Sequence, residues 1–294
     1  MMPRRRVSKL SLLKIDEHQS RSTNDYVVIE EPLEIRLQLS GAHGNSPEQS
    51  VSITMRTPGD DFELAAGFLF TEGILSCRDE IEQIRYCVGP DKEKQHFNIV
   101  SVSLSSGVQF NRERLHRHFY ATSSCGVCGK ASLEALAVQG CQPMPDGFQI
   151  ATETILQLPG ALRQEQFIFE KTGGLHAAAL FTPDGRLACL REDVGRHNAV
   201  DKVIGAQFLQ DKIPLYSSLL FVSGRAGFEI IQKALVARIS VVAAVGAPSS
   251  LSVELAKEYN MTLLGFVRHN SFNVYCGAQR VLTPSMAQRH SFIR

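Results

Sequence analysis

A chain of 294 residues that is 44% hydrophobic and 21% charged can bury a sizeable core, which excludes a disordered or fibrous protein and allows one large domain or two ordinary ones. A formal net charge of +1 leaves no global polyanion signature, so nucleic acid is not indicated as a main partner. No run approaches the roughly 18 apolar residues of a membrane span, and seven cysteines, mostly isolated, fit a reducing cytoplasm better than a disulfide framework.

The amino terminus, M-M-P-R-R-R-V-S-K-L-S-L-L-K, is basic and shares features with a twin-arginine export signal. Lys14, Asp16 and Glu17 interrupt the long apolar core that such a signal needs, so residues 1–25 read as a basic, flexible tail. From Tyr26 to Leu104 the pattern is one of strands around a single helix. Leu33, Ile35, Leu37 and Leu39 alternate with polar residues, as do Val51, Ile53 and Met55, and Ile99 to Leu104 is a third apolar, β-branched run. Between them, D-D-F-E-L-A-A-G-F-L-F-T-E-G begins with acidic residues suited to a helix amino end and stops at Gly73. These elements predict a smaller amino-terminal α+β domain over residues 26–145. It includes the stretch S-S-C-G-V-C-G-K and, behind it, a short helix closed by Gly140.

The carboxyl half, residues 146–294, changes character. S-L-L-F-V-S, S-V-V-A-A-V and T-L-L-G-F-V-R are apolar strands, separated by the helical runs F-E-I-I-Q-K-A-L-V-A-R and L-S-V-E-L-A-K-E-Y. Strand, helix, strand, helix, strand with near-continuous apolar strands predicts an α/β domain with a parallel sheet core covered by helices.

Cys125 and Cys128 form the one close thiol pair, set among Ser, Gly and Lys. As a structural zinc site the pair supplies two of four ligands, and Cys77, Cys87, Cys141, Cys189 and Cys276 offer no second close pair. Cys141 with a distant histidine would be needed to complete one. Lys130 and the helix behind it fit a thiol of lowered pKa, which disulfide exchange and sulfur carriage as Cys-S-SH both require. On the residues alone these two chemistries tie. Hydrolytic deamination by zinc needs His-x-Glu or Cys-x-Glu ahead of Pro-Cys-x-x-Cys, and the chain has neither.

Ligands of parallel α/β sheets bind beyond the carboxyl ends of the strands. S-G-R-A-G (Ser223 to Gly227) and G-A-P-S-S (Gly246 to Ser250) fall at two such ends. Arg225 is suited to a bidentate phosphate contact, whereas Ser249 or Ser250 serves equally well as a helix N-cap. Neither loop matches the ATPase or dinucleotide fingerprints. R-E-D-V-G-R-H-N-A-V-D-K-V-I-G is the densest polar block and offers Arg196 and His197 to a ligand. T-G-G-L-H-A-A-A adds Gly173, Gly174 and His176.

Taken together, T-P-G-D-D-F-E-L-A-A-G-F-L-F-T-E-G-I, S-S-C-G-V-C-G, T-G-G-L-H-A-A-A, R-E-D-V-G-R-H-N-A-V-D-K-V-I-G, S-G-R-A-G-F-E-I-I-Q-K and G-A-P-S-S-L-S-V-E-L-A resemble the FdhD family of formate dehydrogenase accessory sulfurtransferases. The blocks run in family order from about Tyr26 to the carboxyl end; the basic tail and the residues after about Thr283 do not resemble it. The resemblance implies a cytoplasmic, homodimeric sulfur carrier. It would take persulfide sulfur from a cysteine desulfurase and pass it to the molybdenum (or tungsten) bis-guanine-dinucleotide cofactor destined for formate dehydrogenase. It also implies a cytidine-deaminase-like three-layer domain without the deaminase zinc, and hence no tightly bound metal of its own. By the resemblance, the persulfide cysteine maps to Cys125 with Cys128 as partner thiol. The cofactor-binding segment maps, by the same resemblance, to Phe266, Val267, Arg268, His269, Asn270 and Ser271; Arg225, Gly246, Ser249, Ser250 and His197 join it from the reading of the strand-end loops and the polar block. A non-covalent cofactor chaperone and a thiol–disulfide oxidoreductase are the rival readings.

Overall fold

The computed structural model describes residues 5–41, 44–45, 48–87, 97–106, 108 and 141–283. Cys125, Cys128 and the helix expected before Gly140 lie outside the described residues.

The chain opens with a β-hairpin, β1 (Val7–Ile15) and β2 (Ser20–Val28), in unbroken antiparallel register from Val7↔Val28 to Ile15↔Ser20. Over residues 7–25 this corrects the expectation of a flexible tail spanning residues 1–25. Two of the charges that break the apolar run, Asp16 and Glu17, form the turn, where Asp16 Oδ1 accepts hydrogen bonds from the amides of His18 and Gln19, 3.0 Å each, while Lys14 is a paired strand position opposite Arg21. Val7 and Ile15 in β1 and Thr23, Val27 and Val28 in β2 supply β-branched residues suited to strands.

Beyond the hairpin, β3 (Glu31–Gly41) is flanked by β5 (Gln49–Arg56) and the short β4 (Gly44–Asn45) on antiparallel pairings and by β7 (Ile99–Leu104) in parallel. A further strand, β6 (Ile81–Tyr86), closes the sheet against β7. Helix α1 (Asp61–Thr71) covers it, starting with the acidic pair Asp61 and Glu63 and ending before Gly73, whose φ of 71° is the left-handed turn that stops a helix.

Residues 150–282 form short β8 (Ile150–Ala151) and β15 (Val281–Leu282), paired with each other, and a six-stranded sheet. Its order is β10 (Leu187–Asp193), β9 (His176–Phe181), β11 (Leu219–Val222), β12 (Val241–Ala244), β13 (Thr262–Gly265), β14 (Asn273–Cys276). The three central strands β11, β12 and β13 are parallel, as their apolar runs predict. β9, β10 and β14 are antiparallel additions that the expectation of a parallel sheet left out. Their connections are too short for a crossover helix: β9 turns into β10 over Thr182–Arg186, with Gly185 at φ 82°, and β13 reaches β14 over residues 266–272. Helices α4 (Arg196–Phe208), α5 (Phe228–Val236) and α6 (Ser250–Glu258) line one face of the sheet, and α2 (Thr152–Glu165) the other; short α3 (Phe167–Thr172) lies against β2.

Alternation within each central strand divides the core. Leu220, Val222, Val242 and Ala244 face the larger cluster; Leu219, Phe221, Val241 and Ala243 face the smaller one over α2. The larger cluster continues through α4 and α1 into Leu33, Ile35, Val100 and Val102 of the amino-terminal sheet. The two domains expected on either side of residue 145 thus share one apolar core. Where α1 crosses α4 the backbones touch: a Cβ on Gly67 would sit 1.9 Å from the Asp201 carbonyl oxygen, and one on Gly205 1.9 Å from that of Glu63.

Candidate functional site

The parallel strands β11, β12 and β13 end on one edge, and the loops that follow them are stitched together by backbone. Gly246 N–H donates to Gly224 O (2.8 Å), Ala226 N–H to Ala247 O (3.2 Å), Phe266 N–H to Gly246 O (3.1 Å) and Val267 N–H to Ala244 O (3.0 Å). Gly246 is required by this approach, because a Cβ there would lie 2.9 Å from Gly224 O and 3.0 Å from Arg225 Cα. A rigid rim results, flanked by the amino ends of α5 and α6.

Along this rim the residues singled out in the sequence separate by role. Arg225 is exposed and makes no ion pair with any described residue. Ser249 caps α6: its Oγ accepts from Ser252 N–H (3.3 Å) while Ser252 Oγ accepts from Ser249 N–H (2.8 Å). Ser250, the first helical residue, is exposed. In the loop after β13, Phe266 takes a left-handed φ of 51° that leaves its ring 43% exposed, while Val267 is fully buried in the core over α2. Arg268 folds back, its Nη1 donating to Val245 O (2.6 Å) and Val267 O (3.0 Å), and its amide closes a turn onto Ser271 O (2.8 Å). His269 and Asn270 are exposed at the tip of that turn.

The dense polar block divides in the same way. Arg191 is paired with Glu63 at 2.5 Å. Glu192 accepts from the amides of Ile168 (3.2 Å) and Phe169 (2.9 Å) at the start of α3. Asp193 is fully buried and accepts from Lys202 Nζ (2.7 Å), Thr57 N–H (3.1 Å), Gly195 N–H (2.8 Å) and Asn198 Nδ2 (3.0 Å). Arg196 and His197, on the first turn of α4, remain for the rim. Nε2 of His197 donates to Glu229 Oε2 at 2.7 Å across to α5, and that hydrogen bond holds the Glu229 carboxyl below its usual range. Arg196 is exposed and makes no ion pair with a described residue.

His176, at the start of β9, completes the group: a Cβ on Gly224 would stand 3.4 Å from its Nδ1. Burial pushes its pKa below 6.5, and the positive fields of Arg196 and His197 push the same way against Asp193. Its neighbours Gly173 and Gly174 are exposed and mark the entry to the strand.

What this edge can do chemically is bind an anion with an aromatic body. Guanidinium groups on Arg196 and Arg225 that make no ion pair with a described residue, amino-terminal helix amides and the Phe266 ring suit phosphate and a stacked base, so a nucleotide fits these residues. Among the described residues no three His, Cys, Asp or Glu side chains group to hold a metal, and Cys77, Cys87, Cys141, Cys189 and Cys276 are free thiols.

The comparisons with known proteins decide the lineage. Residues 28–282 match the FdhD/NarQ family. The chain belongs to that family. It is 49% identical over 280 residues to a sulfur carrier protein FdhD of Mycolicibacterium paratuberculosis, covering 95% of this chain and 98% of that protein. It is 38% identical over 276 residues to one from Saccharolobus solfataricus, covering 94% and 98%. The fold also matches the crystal structure of a protein described as a formate dehydrogenase accessory protein from Desulfotalea psychrophila. The TM-score is 0.71 at 25% identity, over 94% of this chain and 99% of that one. FdhD/NarQ membership gives this chain the family's fold; the relatives it matches are named sulfur carrier proteins, and the matched structure is that of a protein described as a formate dehydrogenase accessory protein.

Proposed function

We propose that this FdhD/NarQ protein carries sulfur from a cysteine desulfurase to the molybdenum bis-guanine-dinucleotide cofactor of formate dehydrogenase. In the loading step, the Cys125 thiolate attacks the outer sulfur of the donor persulfide. The donor S–S bond breaks, the donor leaves as its thiolate, and a new S–S bond forms on Cys125. Cys128 assists release. The observation that supports the receiving end is the pair of guanidinium groups, Arg196 and Arg225, left without carboxylate partners among the described residues at the carboxyl edge of the parallel strands. The dinucleotide arms are read as lying along this edge, over Gly246 and Phe266 and beside His197, with His269 and Asn270 at its outer end.

In the same reading the six-stranded sheet is a cytidine-deaminase-like scaffold, the protein works in the cytoplasm, and two copies serve the two guanine arms of one cofactor. Arg268 and Ser249 act through the loops they fasten rather than by direct contact.

Two measurements test this. Incubation with a cysteine desulfurase and cysteine adds sulfur mass to the peptide containing Cys125, and Cys125→Ala abolishes both the added mass and formate dehydrogenase maturation. Normal maturation by Cys125→Ala would leave a non-covalent cofactor chaperone. Titration with GDP as a fragment of the cofactor gives saturable binding that Arg225→Gln weakens; reversible disulfide turnover with no GDP binding would support an oxidoreductase instead.

A further inference from the structure

The hairpin β1–β2 has no role in that reading. It lies almost wholly outside the family match at residues 28–282, and as a two-stranded sheet it has two open edges. Its root is fixed: Arg6 donates to Asp60 at 2.8 Å, Lys171 of α3 stands over the Tyr26 ring at 4.2 Å, and Val28 packs on Gly174. Past the root the strands are exposed, with Leu10, Leu12 and Val27 at 37–48%. A hairpin of this kind is marginal on its own in water, and its apolar side chains are ones that a partner would cover.

The register specifies the chemistry of the cover. Leu10, Leu12 and Lys14 share one face with Val27, Asp25, Thr23 and Arg21: Leu10 lies opposite Asp25, whose Oδ1 accepts from the Tyr26 amide at 2.7 Å, and Lys14 lies directly opposite Arg21 nearer the tip. Two cations facing each other across strands repel, and neither has a carboxylate within ion-pair distance among the described residues. The tip-ward half of the face, where Lys14 and Arg21 outnumber the single carboxylate of Asp25 nearer the root, is therefore complementary to an apolar surface that brings carboxylates. The turn at the tip carries Asp16 and Glu17, which an anionic bilayer would repel. A protein fits both ends of the arm; a membrane fits one.

Position then selects the partner. Gly174, on which the arm is seated, is two residues from His176 on the rim. A protein held by the arm is held beside the edge read as the cofactor site, where the recipient must stand. We infer that the β1–β2 arm docks the client formate dehydrogenase in its cofactor-free form, through an acidic, apolar patch on the client that covers Leu10, Leu12 and Val27 and neutralises Lys14 and Arg21. The inference rests on the sulfur-carrier reading for the identity of the client.

The test is calorimetric titration of the full-length protein with purified cofactor-free formate dehydrogenase. Three proteins are compared: wild type, Lys14→Glu/Arg21→Glu, and Leu10→Thr/Leu12→Thr, the last chosen because threonine keeps strand preference. Hydrogen exchange on the hairpin amides verifies that each arm is folded. Binding weakened tenfold or more in both variants, with the salt dependence of the wild type lost in the charge-reversed protein, is the expected result. Wild-type affinity in either variant with a folded arm overturns the inference, as does absence of binding by the wild type. Binding to 1:1 phosphatidylglycerol–phosphatidylcholine vesicles that needs Lys14 and Arg21 overturns it in favour of a membrane, and a dimer in sedimentation that both variants abolish overturns it in favour of a second copy. Sulfur loading on the Cys125 peptide is read in the same three proteins. Its failure in all three counts against the sulfur-carrier reading, whereas loading with unaltered client binding counts against the arm alone.

Discussion

The crossing of α1 over α4 makes a demanding prediction. Gly67→Ala places a Cβ 1.9 Å from the Asp201 carbonyl oxygen, and a Cβ contact needs at least 3.0 Å, so the helices must part by 3.0 − 1.9 = 1.1 Å or more at that point. The obstacle is backbone on an opposing helix, which has no rotamer to yield. Forced overpacking of this kind costs about 1–3 kcal/mol or more. In an exposed helix the same change would stabilise by about 1 kcal/mol through propensity, so the sign of the effect is diagnostic. Separation also pulls on bonds close to the crossing, Thr71 Oγ1 to Asp201 Oδ1 at 2.8 Å and Lys233 Nζ to Asp201 Oδ1 at 3.0 Å. Equilibrium urea unfolding of Gly67→Ala and Gly205→Ala is the assay. The midpoint is expected to fall by an amount equivalent to about 2–3 kcal/mol in each. The double variant should lose less than the sum, because one parting of the helices accommodates both methyl groups. Either alanine variant as stable as wild type would refute the close crossing, and strict additivity would refute its being a single contact.

The remaining predictions address the buried charges and the rim. Lys233→Met strands Asp201, which is 2% exposed, without its cation and is expected to cost about 3–5 kcal/mol by urea unfolding; Lys233→Met/Asp201→Leu recovers part of that loss. His176 has a folded pKa below its unfolded value of 6.5, so the unfolded chain binds the extra proton between the two values. Its contribution to stability is present above pH 6.5 and lost as pH falls through the folded pKa, and His176→Asn should flatten the stability profile in that window; imidazole NMR should show its titration below 6.5. Arg225→Gln and Arg196→Gln are expected to weaken GDP about tenfold each, since a charge-assisted phosphate contact contributes roughly 1.5–3 kcal/mol; the unfolding midpoint holds in Arg225→Gln and rises slightly in Arg196→Gln, which removes a cation from the amino end of α4. Ser249→Ala should lower stability by about 1 kcal/mol through loss of the α6 cap and weaken GDP less than either arginine variant does, because it loosens the loop without removing a phosphate contact.

Legibility in the sequence tracked the distance between partners. Helix α1 was readable because Asp61, Glu63 and Gly73 announce its ends locally, and β11, β12 and β13 because each is a continuous apolar run. The hairpin was not, since Asp16 and Glu17 look like interruptions until their strands are paired. The polar block around Asp193 was read as one candidate ligand site because its partners are remote. Glu63, Thr57 and Phe169 lie 128, 136 and 23 residues from the groups they bind, and no local spacing reveals them. His176, Arg196 and Arg225 come from three separate segments, and only the parallel order of β11 and β12 with β9 alongside brings them to one edge. The glycines of the α1–α4 crossing give no signal in a single sequence, where each is merely a weak helix former.

That edge also contains an electrostatic conflict that is informative. The amino end of a helix favours anions, yet the first turn of α4 has no acidic residue and begins with Arg196 and His197. Asp193, just ahead of the turn, gives its oxygens to Lys202, Thr57, Gly195 and Asn198 and is buried below it. Glu229 answers His197 from α5 and is felt by Arg196 only at longer range, so Arg196 makes no ion pair with a described residue. Positive side chains at a positive helix end destabilise the free protein in proportion to how little screens them, and an anion bound there reverses the sign of each contribution at once. In the proposed reading this arrangement would contribute more to the affinity for an anionic ligand than two surface arginines would. Asp193 sets that geometry from underneath: through Thr57 it ties the loop before α1 to the start of α4, so the amino-terminal half of the chain holds the rim residues in place.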